Sequence, residues 1–223
     1  MQQQRITFAS GNLKLEGILY LPEGSGPFPC VIVCHPHPLY GGSMDNNVVD
    51  AVCGALVNAS IAAFKFNFRG VGHSQGRYDD GRGEGDDAKA AITFVATLDQ
   101  IDPARIGLCS YSAGAAFSLP ACWNDERVKA IAAISPPLEM FDFSFIADCK
   151  KPLLLISGSY DDFTPAERFI EFCKDLSDTS EQELIVGADH FWQGYESELA
   201  ERVAVFFPKG IIRQHMSSYG LTG

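Results

Sequence analysis

Short, nearly continuous apolar runs recur along the chain, each followed by a stretch with helical spacing. FPCVIVCH (28–35), IAAFKFNF (61–68), RIGLCS (105–110), VKAIAAIS (128–135), PLLLISGS (152–159) and QELIVG (182–187) have the length and character of buried strands. Ahead of them, RITFAS and LKLEGILYLP flank Gly11-Asn12, a hairpin signal. Residues 45–59 read as an amphipathic helix with Asp45 or Asn46 as its N-cap. Further helices are predicted from about Glu84, at SAGAAFSLPACW, and at about 165–176 and 193–207. Strands and helices alternating at this spacing predict the α/β class. The expected architecture is a mostly parallel central sheet of about 7–8 strands with helices on both faces.

Composition narrows the picture. A chain of 223 residues with 46% hydrophobic residues and a mean hydropathy of +0.01 is large enough for one sizeable core and is neither disordered nor a membrane bundle. No apolar run reaches the roughly 18–20 residues of a membrane span. MQQQRITF has no basic segment followed by an apolar one, so no signal peptide is expected. The 7 cysteines form no CxxC and several fall inside predicted strands or helices, which favours buried free thiols and a cytoplasmic location. A net charge of −11 argues against nucleic acid or an anionic membrane as partner. The expected organisation is one domain over 1–208 and a weakly patterned C-terminal tail over 209–223; a monomer or homodimer is compatible with either.

In a doubly covered parallel sheet, ligands bind beyond the carboxyl ends of the strands. LCSYSAG (108–114) lies at such an end. A nucleophile held at a sharp strand-to-helix turn needs small residues two before and two after it. Ser112 has Ser110 and Gly114 at those positions, whereas Ser110 would have Leu108, which is too large. The frame therefore selects Ser112, in a GxSxG pattern whose first glycine is serine. Cys109 falls inside the strand and reads as core. Taken alone, the stretch is equally well a capped helix start. Two later loops shift that balance. GSYDDFTP (158–165) offers Asp161 and Asp162, and GADHFW (187–192) offers His190, in the order Ser, Asp, His.

HPHPLYGG (35–42) follows an early strand, where a second oxyanion donor is needed beside the N–H of Ala113. Proline lacks an N–H, so within 36–38 only the His37 main chain can donate. A metal reading of HxH with His73 or the acids between Asp79 and Asp87 is disfavoured: the prolines stiffen the loop and no further ligand sits at suitable spacing. GVGHSQG and GRGEG match neither dinucleotide nor phosphate loops, and DDGRGEGDD reads as a solvated helix start. No metal and no cofactor is expected.

Together, HPHPLYGGSMDN, FNFRGVGHSQG with DGRGE, SYSAG, GSYDDFTP and GADHFW resemble the α/β-hydrolase superfamily, and within it small serine hydrolases related to the dienelactone-hydrolase-like members. The resemblance covers about residues 5 to 207. It implies the α/β-hydrolase fold, with Ser112 as nucleophile, His190 as base and the His37 and Ala113 main chains as oxyanion hole. It prefers Asp161 over Asp162 as the acid, because the family places its acid three residues after the loop glycine, here Gly158. Dienelactone hydrolases proper use cysteine where this chain has serine, which counts against a dienelactone as substrate. The stretch PPLEMFDFSFIADCKK is too short for a lid domain, leaving an open site with Phe141, Phe143 and Phe145 as possible walls. Tyr40, Tyr111, Phe141 and Phe143 are the expected substrate contacts. The expected activity is a serine carboxylesterase acting on small or short-acyl esters through an acyl-enzyme. A thioesterase, an amidase or peptidase with the same triad, and a non-catalytic binding protein of this fold are the alternatives.

Overall fold

The Gly11-Asn12 turn joins β1 (Gln2–Ser10) to β2 (Leu13–Leu21) as an antiparallel hairpin. From β3 (Phe28–Cys34) onward the computed structural model, which describes residues 2–177 and 179–211, alternates helix and strand. The series runs α1 (Asn47–Asn58), β4 (Ala62–Phe66), α2 (Arg82–Val95), β5 (Ile101–Tyr111), α3 (Ala113–Cys122) and β6 (Val128–Ile134). It closes with β7 (Leu153–Tyr160), α4 (Ala166–Cys173), β8 (Ser180–Asp189) and α5 (Glu196–Ile211).

One 8-stranded sheet results, in the order β1-β2-β4-β3-β5-β6-β7-β8. Every pairing from β4 to β8 is parallel; β2 joins β4 antiparallel. The chain leaves β3 for β4 on one side and returns to β5 on the other. The loops after β3 and β5 therefore diverge and open a crevice at this switch point, the expected place for a ligand.

Alternation along the strands divides the core in two. Cys30, Ile32 and Cys34 of β3 face α2, α3 and α4, while Val31 and Val33 face α1 and α5. On the first face Phe8, Phe64 and Phe66 make edge and stacked contacts with one another. On the second, Lys65 of β4 is buried among apolar side chains, and its ammonium reaches Asp45 at 3.1 Å and also Asp50. That pairing explains which residue caps α1: Asp45 is turned to Lys65, and Asn46 accepts from the Val48 and Val49 N–H groups. All seven cysteines are free and buried.

Three local expectations are revised. β5 and β8 extend beyond the predicted runs because their polar ends still pair, as in Phe28 with Ile101 and Leu153 with Ser180. The last helix continues through Pro208 to Ile211 instead of ending at about 207, and residues 212–223 of the expected tail lie outside the described residues. DDGRGEGDD is not a solvated helix start, since Glu84 and Asp87 are both fully buried. Helical spacing puts them on the same inward face as Ala88, Ala91 and Ile92. Glu84 accepts from the Asp79 and Gly81 N–H groups. Asp87 accepts from Ser10 Oγ at 2.6 Å and from the Arg69 N, Nε and Nη2 groups at 2.8–3.0 Å, tying together β1, α2 and the loop after β4.

Between β6 and β7 there is only a 3-10 turn at Ser144–Asp148, and among the described residues no lid covers the sheet's carboxyl edge. No helix among the described residues is long and apolar enough to cross a membrane.

Because Asp87 accepts from Ser10 and from three Arg69 groups, Asp87→Ala leaves the largely buried Arg69 with only its longer pairing to the exposed Asp79 at 3.9 Å. A loss of about 3–5 kcal/mol in unfolding free energy is expected, measured by urea titration.

Candidate active site

The turn from β5 into α3 is sharp. Ser112 adopts φ 55° and ψ −129°, a strained conformation for a side-chain-bearing residue, with its N–H bonded to the Ile134 carbonyl at 2.8 Å. The flanking small residues are unequal in strictness. A Cβ on Gly114 would lie 2.4 Å from the His35 carbonyl oxygen and 3.0 Å from that of Cys34, so α3 packs against the end of β3 only through glycine. At the other position Ser110 is accommodated because its hydroxyl meets Ser118 of α3 at 2.7 Å, both being buried. The missing first glycine is thus a polar contact under the helix rather than a defect. Cys109 is buried, and desolvation pushes its thiol well up.

Ser112 Oγ lies 2.8 Å from His190 Nε2. His190 Nδ1 lies 2.9 Å from each Asp161 carboxylate oxygen. Burial raises Asp161, but the hydrogen bond and charge of His190 outweigh it, and the carboxyl stays below its ordinary range. An ionised carboxylate only accepts, so Nδ1 carries the hydrogen and Nε2 is left to accept from Ser112. The main-chain N–H groups of Phe163 and Thr164 also donate to Asp161 Oδ1 at 2.9 Å, and Ser157 Oγ reaches Oδ2 at 3.3 Å. β7 comes close enough to β8 to align this loop with His190 because Gly158 has no Cβ; one would sit 2.2 Å from the Ala188 carbonyl oxygen. Asp162 is exposed and takes no part in these bonds.

The two histidines after β3 do different things. His35 is buried; its Nδ1 donates to the Pro36 carbonyl at 2.6 Å and its Nε2 accepts from the Phe68 N–H at 3.0 Å. It fastens the loop after β3 to the end of β4. His37 carries the loop to the cleft, where its carbonyl accepts from the Tyr40 and Gly42 N–H groups. Its ring accepts from the Leu39 N–H and lies 3.3 Å from the Tyr78 hydroxyl. Among the described residues, neither the His37 nor the Ala113 main-chain N–H meets an acceptor, and both residues line the cleft beside Ser112. No group of three or more His, Cys, Asp or Glu side chains among the described residues could hold a metal ion.

The cleft measures about 360 Å³. Of the expected substrate contacts, Tyr40, Tyr111 and Phe141 line this cleft. Tyr111 has a second contact, donating its hydroxyl to the His190 carbonyl at 2.7 Å. Phe143 does not line it: the side chain is buried in the core and borders a separate hollow against α4. Its neighbour Phe145 packs on Trp123, also away from Ser112. The missed wall residues include Pro137, Met140, Phe163 and Phe191. A signal for the last two was present, because they lie two residues after Asp161 and directly after His190. Also unforeseen is Trp192, whose buried indole donates to Ser135 Oγ at 3.1 Å and ties the His190 loop to the end of β6.

The model of the dienelactone hydrolase family matches residues 76–198. An uncharacterized protein of Rickettsia prowazekii is 34% identical over 209 residues, spanning 89% of this chain and 86% of its own length. A solved α/β serine hydrolase homologue from Coxiella burnetii superposes with TM-score 0.82 at 33% identity, covering 92% of this chain and 97% of that one. A serine hydrolase without lid from Xanthomonas campestris does so with TM-score 0.82 at 29% identity, covering 96% and 95%.

Two outcomes follow from the packing around the turn. Gly114→Ala forces the β3–α3 contact apart and is expected to lower stability by about 1–3 kcal/mol, read by urea titration. Burial pushes His35 down to about 4 from 6.5. Unfolded, this ring takes up a proton as pH falls through 6.5; folded, it resists until about 4. Its contribution is therefore complete above 6.5 and is lost between 6.5 and 4, at up to about 1.4 kcal/mol per pH unit. Unfolding titrations from pH 7 to 4.5 are expected to show a shallower slope in His35→Gln than in the wild type.

Proposed function

Since the chain belongs to the dienelactone hydrolase family and is a hydrolase of the α/β type, we propose that it is a serine carboxylesterase working through Ser112, His190 and Asp161. The observation that carries this reading is the unbroken hydrogen-bonded line from Ser112 Oγ through the His190 ring to Asp161, opening on a cleft rather than on solid core.

In the proposed reaction Ser112 Oγ attacks the ester carbonyl carbon and His190 Nε2 takes the hydroxyl proton. Asp161 holds the imidazole in the required tautomer and stabilises the imidazolium. The carbonyl oxygen becomes an oxyanion facing the free His37 and Ala113 N–H groups. Ala113 opens α3, where N–H groups lack intrahelical partners and the helix dipole favours negative charge. Collapse breaks the carbon–oxygen bond, and His190 returns its proton to the leaving alcohol. Water, deprotonated by His190, then attacks the acyl-enzyme and releases the acid. Serine at the turn, with Cys109 buried behind it, favours ordinary esters over the family's namesake lactone.

A fluorophosphonate probe is expected to label the protein at Ser112, identified by peptide mapping. Ser112→Ala is expected to lose labelling and to lower kcat on short-chain acyl esters by about 10⁴–10⁶-fold. Retention of most activity in that variant would overturn the assignment. A panel of acyl esters, acyl thioesters and amino-acyl anilides ranks the three bond types, with the esters expected to lead.

A further inference from the structure

The wall of the cleft is divided chemically by His190, and that division bears on which end of an ester each part of it meets. Resting on the esterase reading, we propose that Phe163 and Phe191 form the leaving-group side of the site, which selects uncharged esters whose alcohol carries an aromatic or large apolar group.

Stereochemistry sets the first step. The proton that His190 takes from Ser112 must go to the alcohol oxygen as the acyl carbon–oxygen bond breaks, so that oxygen comes within hydrogen-bond reach of Nε2. The carbon chain of the alcohol then passes over or beside the imidazole. The side chains there are Phe163, with its ring centroid 4.5 Å from that of His190, and Phe191, at 5.6 Å and nearly perpendicular to it. They are 40% and 58% exposed, so each keeps an open surface for a ligand. The acyl group lies toward the other wall. Phe141 belongs to that wall, since it packs edge-on against Phe117, which packs in turn on His37.

Both phenylalanines are held by the site's own loops. The Phe163 N–H donates to Asp161 Oδ1, and the Phe191 N–H donates to Asp189 Oδ1. Asn47 of α1 donates to the Phe191 carbonyl at 3.2 Å. Their backbones are fixed relative to His190, so they present a preformed pair of apolar faces. No Lys, Arg, Asp or Glu is among the residues lining the cleft. An anionic group on the alcohol would lose its hydration there without gaining a partner, inside a protein of net charge −11.

The test compares kcat/KM for benzyl and ethyl butyrate, whose alcohols are similar as leaving groups, and for ethyl butyrate and ethyl octanoate, which differ only in the acyl chain. In Phe163→Ala and Phe191→Ala the benzyl-to-ethyl ratio is expected to fall about tenfold, while the octanoate-to-butyrate ratio stays near the wild-type value. Phe191→Leu is expected to recover most of the benzyl preference, and Phe141→Ala to move the acyl ratio instead. Unchanged labelling of Ser112 by the fluorophosphonate in each variant shows that the site is intact. Wild-type enzyme is expected to use 4-carboxybenzyl butyrate at least tenfold less well than benzyl butyrate. The assignment is overturned if the alanine variants shift the acyl ratio, if they shift neither ratio, or if the carboxylated ester is used equally well. Absence of turnover across all these esters together with absence of Ser112 labelling is a different result, and it removes the esterase reading itself.

Discussion

The site depends on one steric constraint: the backbone of β3 and the first turn of α3 approach so closely that Gly114 has no room for a Cβ. That contact sets how steeply the chain must turn at Ser112, and the strained φ of 55° is its local cost. The strain persists because both flanking strands are central. β5 is paired on one side with β3 and on the other with β6, and the Ser112 N–H is bonded to Ile134. Relaxing the turn would break sheet hydrogen bonds on two sides, which exceeds the roughly 1–3 kcal/mol that such a conformation stores. Because β3 lies at the switch point, the same contact brings the His37 loop alongside the hydroxyl it is proposed to serve.

Buried polar groups carry the alignment outward from there. His35 joins the ends of β3 and β4, Asp87 joins β1, α2 and the loop after β4, and Trp192 joins the His190 loop to β6. None of the buried side-chain nitrogen and oxygen atoms among the described residues lacks a partner. Such bonds add modestly to stability but are expensive to break, so each confines a loop to one arrangement. Loops at the carboxyl edge of a lidless sheet have no covering layer to hold them, and these connections stand in for one.

The order of strands and helices was legible because both periods are local properties of the chain. The sharp turn at Ser112 was legible for the same reason: the room available two residues either side of a turn is set by the turn itself. The choice of the His37 main chain as candidate donor rested on the missing N–H of its proline neighbours. Other features depended on partners far away in sequence. Glu84 and Asp87 looked like solvated acids because nothing nearby announced Ser10 or Arg69. The spacing of Phe141, Phe143 and Phe145 carried no information about facing, because that segment folds as turns rather than as a strand. Only Phe141 reaches the cleft, and Phe143 turns into the core. Phe163 and Phe191 stood beside two predicted site residues, yet their direction was set by Asp161, Asp189 and Asn47, which act through hydrogen bonds invisible in a hydropathy pattern.

The distribution of charge bears on the proposed chemistry. The protein is strongly acidic, yet its cleft is lined without a fixed charge, and the nearest carboxylate, Asp161, is buried behind the His190 ring. Asp161 accepts from the Phe163 and Thr164 N–H groups as well as from the His190 ring. A neutral ester would therefore enter a site whose lining holds no Lys, Arg, Asp or Glu side chain. In the proposed reaction charge appears only when Ser112 attacks, as an oxyanion facing the Ala113 end of α3 and an imidazolium facing Asp161. Both halves of that ion pair meet groups oriented before the reaction begins. The stabilisation thus falls on the transition state rather than on the bound substrate, which is the condition for it to lower the barrier.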